Sequence, residues 1–322
     1  MVLADATNTF PNLQTLHMNS FYDCVPILPL SASFSHLSTL ILDGSREAEI
    51  AYPALIAALL NCTPQLESLL MKLRFWRTMY DVESAPTASC KVKGRLESEI
   101  SLDIRLPRLR HLTVSVPGTA CYLIGCITAP MVEDLHLDGS REPEYKDGKR
   151  LDYEWQNEDT TTMRNALRRF ASRCRSVRRL AVTQAYLSQN VWDWIMFGED
   201  ERGLPFPMLE CIALHGIFDS AWSGFDDEIL EKFARKPSLP LKRLVLLYCD
   251  FPLHASTVTE VFRASRAEEL ECNEYVPQWE ADEWEQLEEL GVSLTYWEAS
   301  EVVEDEWWTY GHYIDAADSE AY

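Results

Sequence analysis

One spacing of apolar residues, L-x-x-L-x-L, recurs along this chain and constrains its fold more than any other feature. Nine copies begin at Leu13, Leu37, Leu66, Leu109, Val132, Val177, Leu209, Leu241 and, in degraded form, Ala267. The last two apolar positions of each copy are two residues apart, so in a strand they share one face. A single strand cannot bury that face alone. Successive copies must therefore stack on one continuous core.

The segments between these strands carry apolar residues at helical spacing. Such stripes lie at residues 55–60, 163–174, 229–233 and 258–262. Strands that alternate with amphipathic helices predict an α/β fold with a parallel sheet. The copies begin 23 to 45 residues apart, and the shorter intervals match leucine-rich repeats of roughly 20–29 residues. We therefore predict a leucine-rich-repeat solenoid, a horseshoe with a parallel concave sheet and helices on the convex side.

The predicted domain organisation follows from this pattern. Residues 1–297 would form an irregular solenoid of about nine units and a C-terminal cap. We expect the cap to consist of a helix that contains Trp284 and Leu287 and ends at Gly291, followed by a final strand. Residues 77–99 and 143–160 are polar insertions, which we expect to form loops or hairpins. Residues 298–322 are an acidic, aromatic tail, which we expect to be partly disordered. The alternative is that the tail binds a basic partner or folds back on the protein's own surface.

The stretch LDGSRE occurs twice, at residues 42–47 and 137–142. Each copy follows a predicted strand, and Asp-Gly is a common turn sequence. One interpretation is that the stretch turns the chain in two duplicated units. The other is that Arg46 and Arg141 form a repeated anchor for a partner.

Several repeats share further sequence motifs beside the apolar spacing. Leu241-Lys-Arg-Leu244-Val-Leu246-Leu-Tyr-Cys249 has the pattern L-x-x-L-x-L-x-x-C/N. The junctions at 59–66 and 170–177 share a cysteine at the end of a helix. Three strands are preceded by similar turns, Pro11-Asn-Leu13, Leu106-Pro107-Arg-Leu109 and Phe206-Pro207-Met-Leu209.

With these motifs, residues 10–297 resemble the leucine-rich-repeat half of fungal F-box proteins. The resemblance implies a non-catalytic scaffold that recognises substrates for an SCF-type ubiquitin ligase. Such proteins usually carry an F-box near the N-terminus, which docks on a Skp-type adaptor. No F-box is seen before Phe10, so we expect adaptor binding only if a longer form carries one. The alternative is a stand-alone leucine-rich-repeat binding or inhibitor protein without a ligase connection.

Charge and composition exclude several classes of partner. The chain of 322 residues has a net charge of −22, and residues 267–322 contain 18 acidic residues and no Lys or Arg. A field of this sign repels phosphates, so we expect neither nucleic-acid binding nor attachment to anionic membranes. Nine cysteines without an apparent secretory signal favour reduced thiols and a cytoplasmic or nuclear location.

The sequence contains no motif that would indicate an enzyme, a cofactor or a metal. It has no HExxH, paired CxxC, GxSxG or glycine-rich phosphate loop. His111 and His136 fall on neighbouring predicted strands, but no familiar zinc spacing accompanies them. Catalysis by these histidines with nearby acids is an alternative that would require a convergent pocket. We therefore expect a non-catalytic protein without cofactors.

The predicted binding surface is the concave wall formed by outward strand positions. Its candidate residues are Lys72, His111, Asp134, His136, Arg179, His215, Arg243 and Leu247. A mixture of charges, histidines and a few apolar anchors suits protein recognition. The alternative is an ordinary hydrated strand face. Tyr153 and Trp155 lie in a loop rich in aromatic and basic residues, which is a candidate second contact.

Overall fold

We analysed a computed structural model, which describes residues 12–19, 34–43, 53–72, 103–115, 123–139, 145–146, 149–150, 157–185, 187–198, 203–216, 225, 227–249, 254–265, 267–273, 279 and 281–297. The chain forms two compact units. We call Met1–Val177 the N-unit and Arg178–Tyr322 the C-unit.

The described part of the N-unit is built on five parallel strands. In sheet order they are β1 (Thr15–Asn19), β2 (Thr39–Asp43), β3 (Ser68–Lys72), β5 (His111–Ser115) and β7 (Asp134–Asp138). Two short strands, β4 (Ile104–Arg105) and β6 (Ile127–Thr128), pair in parallel in a separate sheet. The helices are α1 (Pro53–Asn61) and α2 (Asn157–Ala171).

The described part of the C-unit also has five parallel strands, which alternate with helices. The strands, in sheet order, are β10 (Arg179–Thr183), β11 (Cys211–His215), β12 (Arg243–Leu247), β13 (Glu269–Asn273) and β14 (Ser293–Trp297). The helices are α3 (Gln189–Phe197), α4 (Asp227–Arg235), α5 (Ala255–Ser265) and α6 (Ala281–Glu289). Among the helices that are described, none is both long enough and apolar enough to cross a bilayer.

Each predicted L-x-x-L-x-L copy contains one of these strands, so the α/β architecture with a parallel sheet is confirmed. In the eight copies from Leu37 onward, the last two apolar residues point into the core, as Leu112 and Val114 do in β5 and Leu244 and Leu246 do in β12. The first apolar residue is buried as well. Leu109 and Leu241, for example, are 0% and 1% exposed. The apolar spacing therefore fixes which side of each strand faces the core.

The repeats share hydrogen bonds as well as spacing. The N–H of the first apolar residue donates to the carbonyl three residues earlier in several copies, as Leu66 does to Thr63 and Leu209 does to Phe206, at 3.2 and 3.1 Å. In seven repeats the residue before the strand accepts two N–H groups from the next repeat. The carbonyl of Glu210, for example, accepts from Lys242 at 2.7 Å and from Arg243 at 3.0 Å. Consecutive repeats are thus joined in the same register.

The segment predicted to form the C-terminal cap contains a helix followed by a strand. Helix α6 ends before Gly291, whose φ of 75° is favourable for glycine alone among common residues. The N–H of Gly291 donates to Glu288, and the N–H of Val292 donates to Leu287. This pair of bonds is the Schellman arrangement that closes many helices. Strand β14 follows and pairs in parallel with β13.

Two regions differ from the prediction or extend it. The insertion at 143–160 contains an antiparallel hairpin of β8 (Tyr145–Lys146) and β9 (Lys149–Arg150), and its end forms the start of α2. Helix α3 was not predicted. The insertion at 77–99 and the tail at 298–322 lie outside the described residues.

Candidate functional site

The outward positions of the N-unit strands form a face in strict register, which we call the N-face. It comprises the first, third and fifth residues of β1, β2, β3, β5 and β7. Its middle row runs from His17 through Ile41, Leu70 and Thr113 to His136. On β5 and β7 these residues alternate with buried ones, because the sequences HLTVS and DLHLD alternate polar and apolar side chains.

His111 and Asp134 are direct neighbours on the N-face. His111 Nδ1 lies 2.7 Å from Asp134 Oδ2, and the two side chains are 30% and 37% exposed. An ionised carboxylate only accepts hydrogen bonds, so Nδ1 of the histidine carries the proton and donates. The bond holds Asp134 in one orientation at a solvent-accessible position.

Lys72 and Asp138 form a longer connection across the same face. They stand at the ends of β3 and β7, and Ser115 of β5 lies between them in register. Lys72 Nζ reaches within 3.6 Å of Asp138 Oδ2, and the Asp138 side chain is only 6% exposed. A buried carboxylate requires such compensation, so this ion pair stabilises the end of the N-face.

The positions of the strand ends explain part of the duplicated LDGSRE stretch. Its two aspartates, Asp43 and Asp138, end β2 and β7 in equivalent positions, and Asp43 is the direct neighbour of Lys72. The turn interpretation therefore agrees with where the strands end. Arg46 and Arg141 lie outside the described residues, so the anchor interpretation stays a prediction.

Only part of the N-face is open to solvent. Ile41 and Leu70 are 5% and 3% exposed, although both occupy outward strand positions. His111, Thr113, Ser115, Asp134 and His136 are all partly exposed. Thr15, His17, Thr39, Asp43 and Lys72 are exposed or partly exposed as well. We take the surface of β5 and β7, with Lys72 at its margin, as the candidate site because its five accessible positions are contiguous on two paired strands.

The corresponding face of the C-unit differs from the prediction. Ala181, Ala213, Val245 and Leu247 form a buried apolar cluster, against which Cys211 and Tyr248 pack. Leu247, which we predicted to be an exposed anchor, is 4% exposed. The sequence did contain a signal: RLAVT, CIALH and RLVLL are nearly continuous apolar runs, which are typical of strands buried on both faces.

The remaining candidate residues of the C-unit border this cluster. Arg179 and His215 are half-buried, and the His215 ring meets the edge of Tyr248 with ring centroids 5.3 Å apart. Arg243 pairs with Glu271 and lies 3.3 Å, Nε to Oε2, from Glu269. Arg243 thus compensates the charge of the buried Glu271 carboxylate. This role makes Arg243 a poor candidate for contact with a binding partner.

Three thiols, those of Cys126, Cys174 and Cys272, have raised pKa values and are therefore poor nucleophiles. Burial raises the pKa of Cys174 to about 11 and, with the neighbouring Glu271 carboxylate, the pKa of Cys272 to about 12. Burial also raises the pKa of Cys126. A thiol with a raised pKa holds little of the nucleophilic thiolate at neutral pH. Within the described ranges, no three His, Cys, Asp or Glu side chains are arranged to hold a metal ion.

The other predicted contact, Tyr153 and Trp155, lies outside the described residues. No protein-family model matches the chain, and no curated protein matches it significantly. The candidate site therefore consists of a polar, partly exposed strand surface in the N-unit, with a hydrogen-bonded His–Asp pair at one end of its strands and a Lys–Asp pair at the other.

Proposed function

We propose that this protein is a non-catalytic scaffold for protein recognition and that it binds its partner through the open part of the N-face. The observation that carries the proposal is the half-exposed group of His111, Thr113, Asp134 and His136 on two adjacent strands. Their backbones are fixed by the parallel ladder, so these side chains are held in place before a partner arrives. Rigid placement lowers the entropic cost of binding.

We also propose that the repeats form a leucine-rich-repeat solenoid. The parallel register, the shared turn before the strands and the bifurcated carbonyl bonds support it. Cys249 adds support from the C/N position of the repeat pattern, because its Sγ lies 3.5 Å from the carbonyl oxygen of Leu214 in the preceding repeat. Extended strand surfaces are the parts with which solenoids commonly bind.

The test is a blocked-surface comparison. Thr113→Arg and His136→Arg together would place two large cations on the open N-face. Ser293→Arg and Thr295→Arg introduce the same pair at exposed, alternate positions of β14 and serve as the matched control. The tagged wild type and both variants would be used to capture proteins from a lysate of the source organism, with quantification by mass spectrometry.

We expect the captured partner to be lost with the N-face variant and kept with the β14 variant, while both variants keep the unfolding midpoint of the wild type. Retention with the N-face variant and loss with the β14 variant would contradict the proposal. Charge reversals at the predicted wall residues Arg179 and Arg243 would be a poorer test. A carboxylate at position 243 would face the buried Glu271.

Two biological settings fit such a scaffold. The resemblance to fungal F-box proteins favours substrate recognition for an SCF-type ubiquitin ligase, and the alternative is a stand-alone binding or inhibitor protein. Capture with the product of the complete gene separates them. Recovery of a Skp-type adaptor together with the N-face partner supports the first, and recovery of the partner without the adaptor supports the second.

A further inference from the structure

We infer that the partner places a cationic side chain, from an arginine- or lysine-containing segment, against Asp134 on the N-face. This inference rests on the proposed function and adds the chemistry of the partner. It comes from the geometry of the His111–Asp134 pair and from the charge balance of the surrounding face.

Asp134 is the acidic member of the His111–Asp134 pair, and its carboxylate can accept further hydrogen bonds. In the described part of the chain its one side-chain contact is made by Oδ2, which accepts from His111 at 2.7 Å. A carboxylate has lone pairs on both oxygens, so Oδ1 can accept from an incoming donor without breaking the bond to His111. The side chain is 37% exposed.

His111 makes Asp134 a better acceptor by fixing it. An unrestrained surface carboxylate loses rotamer freedom when it binds, and that loss opposes binding. Here the ordering is already present, because His111 lies opposite Asp134 in the strand register. His111 is therefore a positioning residue for the cationic group.

The charge of the whole N-face favours the same kind of partner. Its outward positions carry three carboxylates, Asp43, Asp134 and Asp138, and one ammonium group, Lys72. Lys72 is already paired with the buried Asp138. An anionic partner would meet net negative charge, whereas a cationic segment is attracted and can form charge-assisted hydrogen bonds.

The experiment uses the full chain and three fluorescein-labelled peptides of equal length: eight arginines, eight glutamates and an alternating glycine–serine sequence. Binding is measured by fluorescence anisotropy at low and at physiological salt. The decisive variant is Asp134→Asn, which preserves shape and removes the charge. Glu285→Gln, at an exposed position of α6, removes one negative charge elsewhere and is the matched control.

We expect the arginine peptide to bind and the other two peptides not to bind. Asp134→Asn should weaken arginine-peptide binding about tenfold, as expected for the loss of a hydrogen bond to a charged group. Glu285→Gln should weaken it less than about twofold. Equal weakening by both variants, or preference for the glutamate peptide, would overturn the inference, because attraction would then be diffuse or of the opposite sign.

The role of His111 has its own readout. His111→Ala should weaken binding of the arginine peptide, and His111→Asn should restore part of it, because the asparagine amide can donate to the same carboxylate oxygen. No difference between these two variants would contradict positioning. If the captured partner depends on the N-face but Asp134→Asn leaves its affinity unchanged, the inference fails while the proposed function stands.

Discussion

Arg243 holds the charge of Glu271 inside the C-unit. The guanidinium reaches diagonally from β12 to β13, and the Glu271 side chain that it meets is 3% exposed. On the outward face of a strand this is unusual, because a carboxylate there is ordinarily hydrated. The pair marks the point where the outward residues of the C-unit change from the apolar cluster to the two carboxylates of β13, Glu269 and Glu271.

Removal of Arg243 should therefore be costly. We expect Arg243→Ala to lower the free energy of unfolding by about 3 kcal/mol, because the buried Glu271 loses its compensating charge. Arg105→Ala is the control, since the Arg105 side chain is 77% exposed and, within the described part of the chain, pairs only with the local Asp103. It should change the stability by less than about 1 kcal/mol. Urea unfolding of both variants checks this, and equal effects would show that Glu271 needs no partner.

The backbone at Gly198, directly after α3, lies close to the backbone at Gly203. We therefore predict that a single methyl group added at position 198 lowers the stability. Gly198 has a φ of +77°, and a Cβ there would lie 2.5 Å from the carbonyl oxygen of Gly203. Gly203 has a φ of +73° with nothing within 4 Å of a built Cβ. Gly203→Ala incurs a left-handed backbone cost of about 1–2 kcal/mol. Gly198 has a ψ of −167°, which with its positive φ places it in a backbone region that is essentially restricted to glycine. We expect Gly198→Ala to cost at least about 1 kcal/mol more, and thermal melts that coincide would contradict the close approach.

The raised thiol pKa of Cys272 predicts a loss of stability at alkaline pH. The unfolded thiol ionises near the ordinary value of 9.0 and the folded thiol only at about 12. Between these values the folded chain keeps a proton that the unfolded chain has lost, so the free energy of unfolding falls as pH rises. One such group contributes a slope of about 1.4 kcal/mol per pH unit in that window.

Cys272→Ala tests the thiol contribution directly. The substitution removes the titrating group and adds a small, pH-independent packing cost. We expect the wild type to lose about 1–2 kcal/mol of stability relative to the variant between pH 9 and pH 10.5, as measured by urea unfolding. Parallel pH profiles would show that the Cys272 thiol ionises at the same pH in both states.

The strands were predictable from sequence because apolar side chains two residues apart can share a core only in an extended chain. The spacing around Leu112 and Val114 therefore located β5 without further information. Helix α3 was harder, because Gln189–Phe197 follows the preceding strand closely and Ser188 makes no capping hydrogen bond through its side chain. Its apolar side chains also cover more than one helix face, which weakens a periodic signal.

The candidate site was predictable only in part, because periodicity shows which side chains leave the core and not what covers them. Asp134 and His136 follow the expected alternation and remain accessible. Val245 has the same position on β12 that His136 has on β7, yet Val245 is buried. The 2.7 Å bond between His111 and Asp134 could not be derived from spacing either, since it depends on the register between β5 and β7.

Histidine footprinting of the captured complex tests the central claim most directly. Diethylpyrocarbonate labels accessible imidazoles, and mass spectrometry reports the rate at each histidine with and without the partner. We predict that the partner slows labelling of His111 and His136 several-fold and leaves His254, whose side chain is 76% exposed, unchanged. Unchanged rates at His111 and His136 in a fully bound sample would contradict recognition through the N-face.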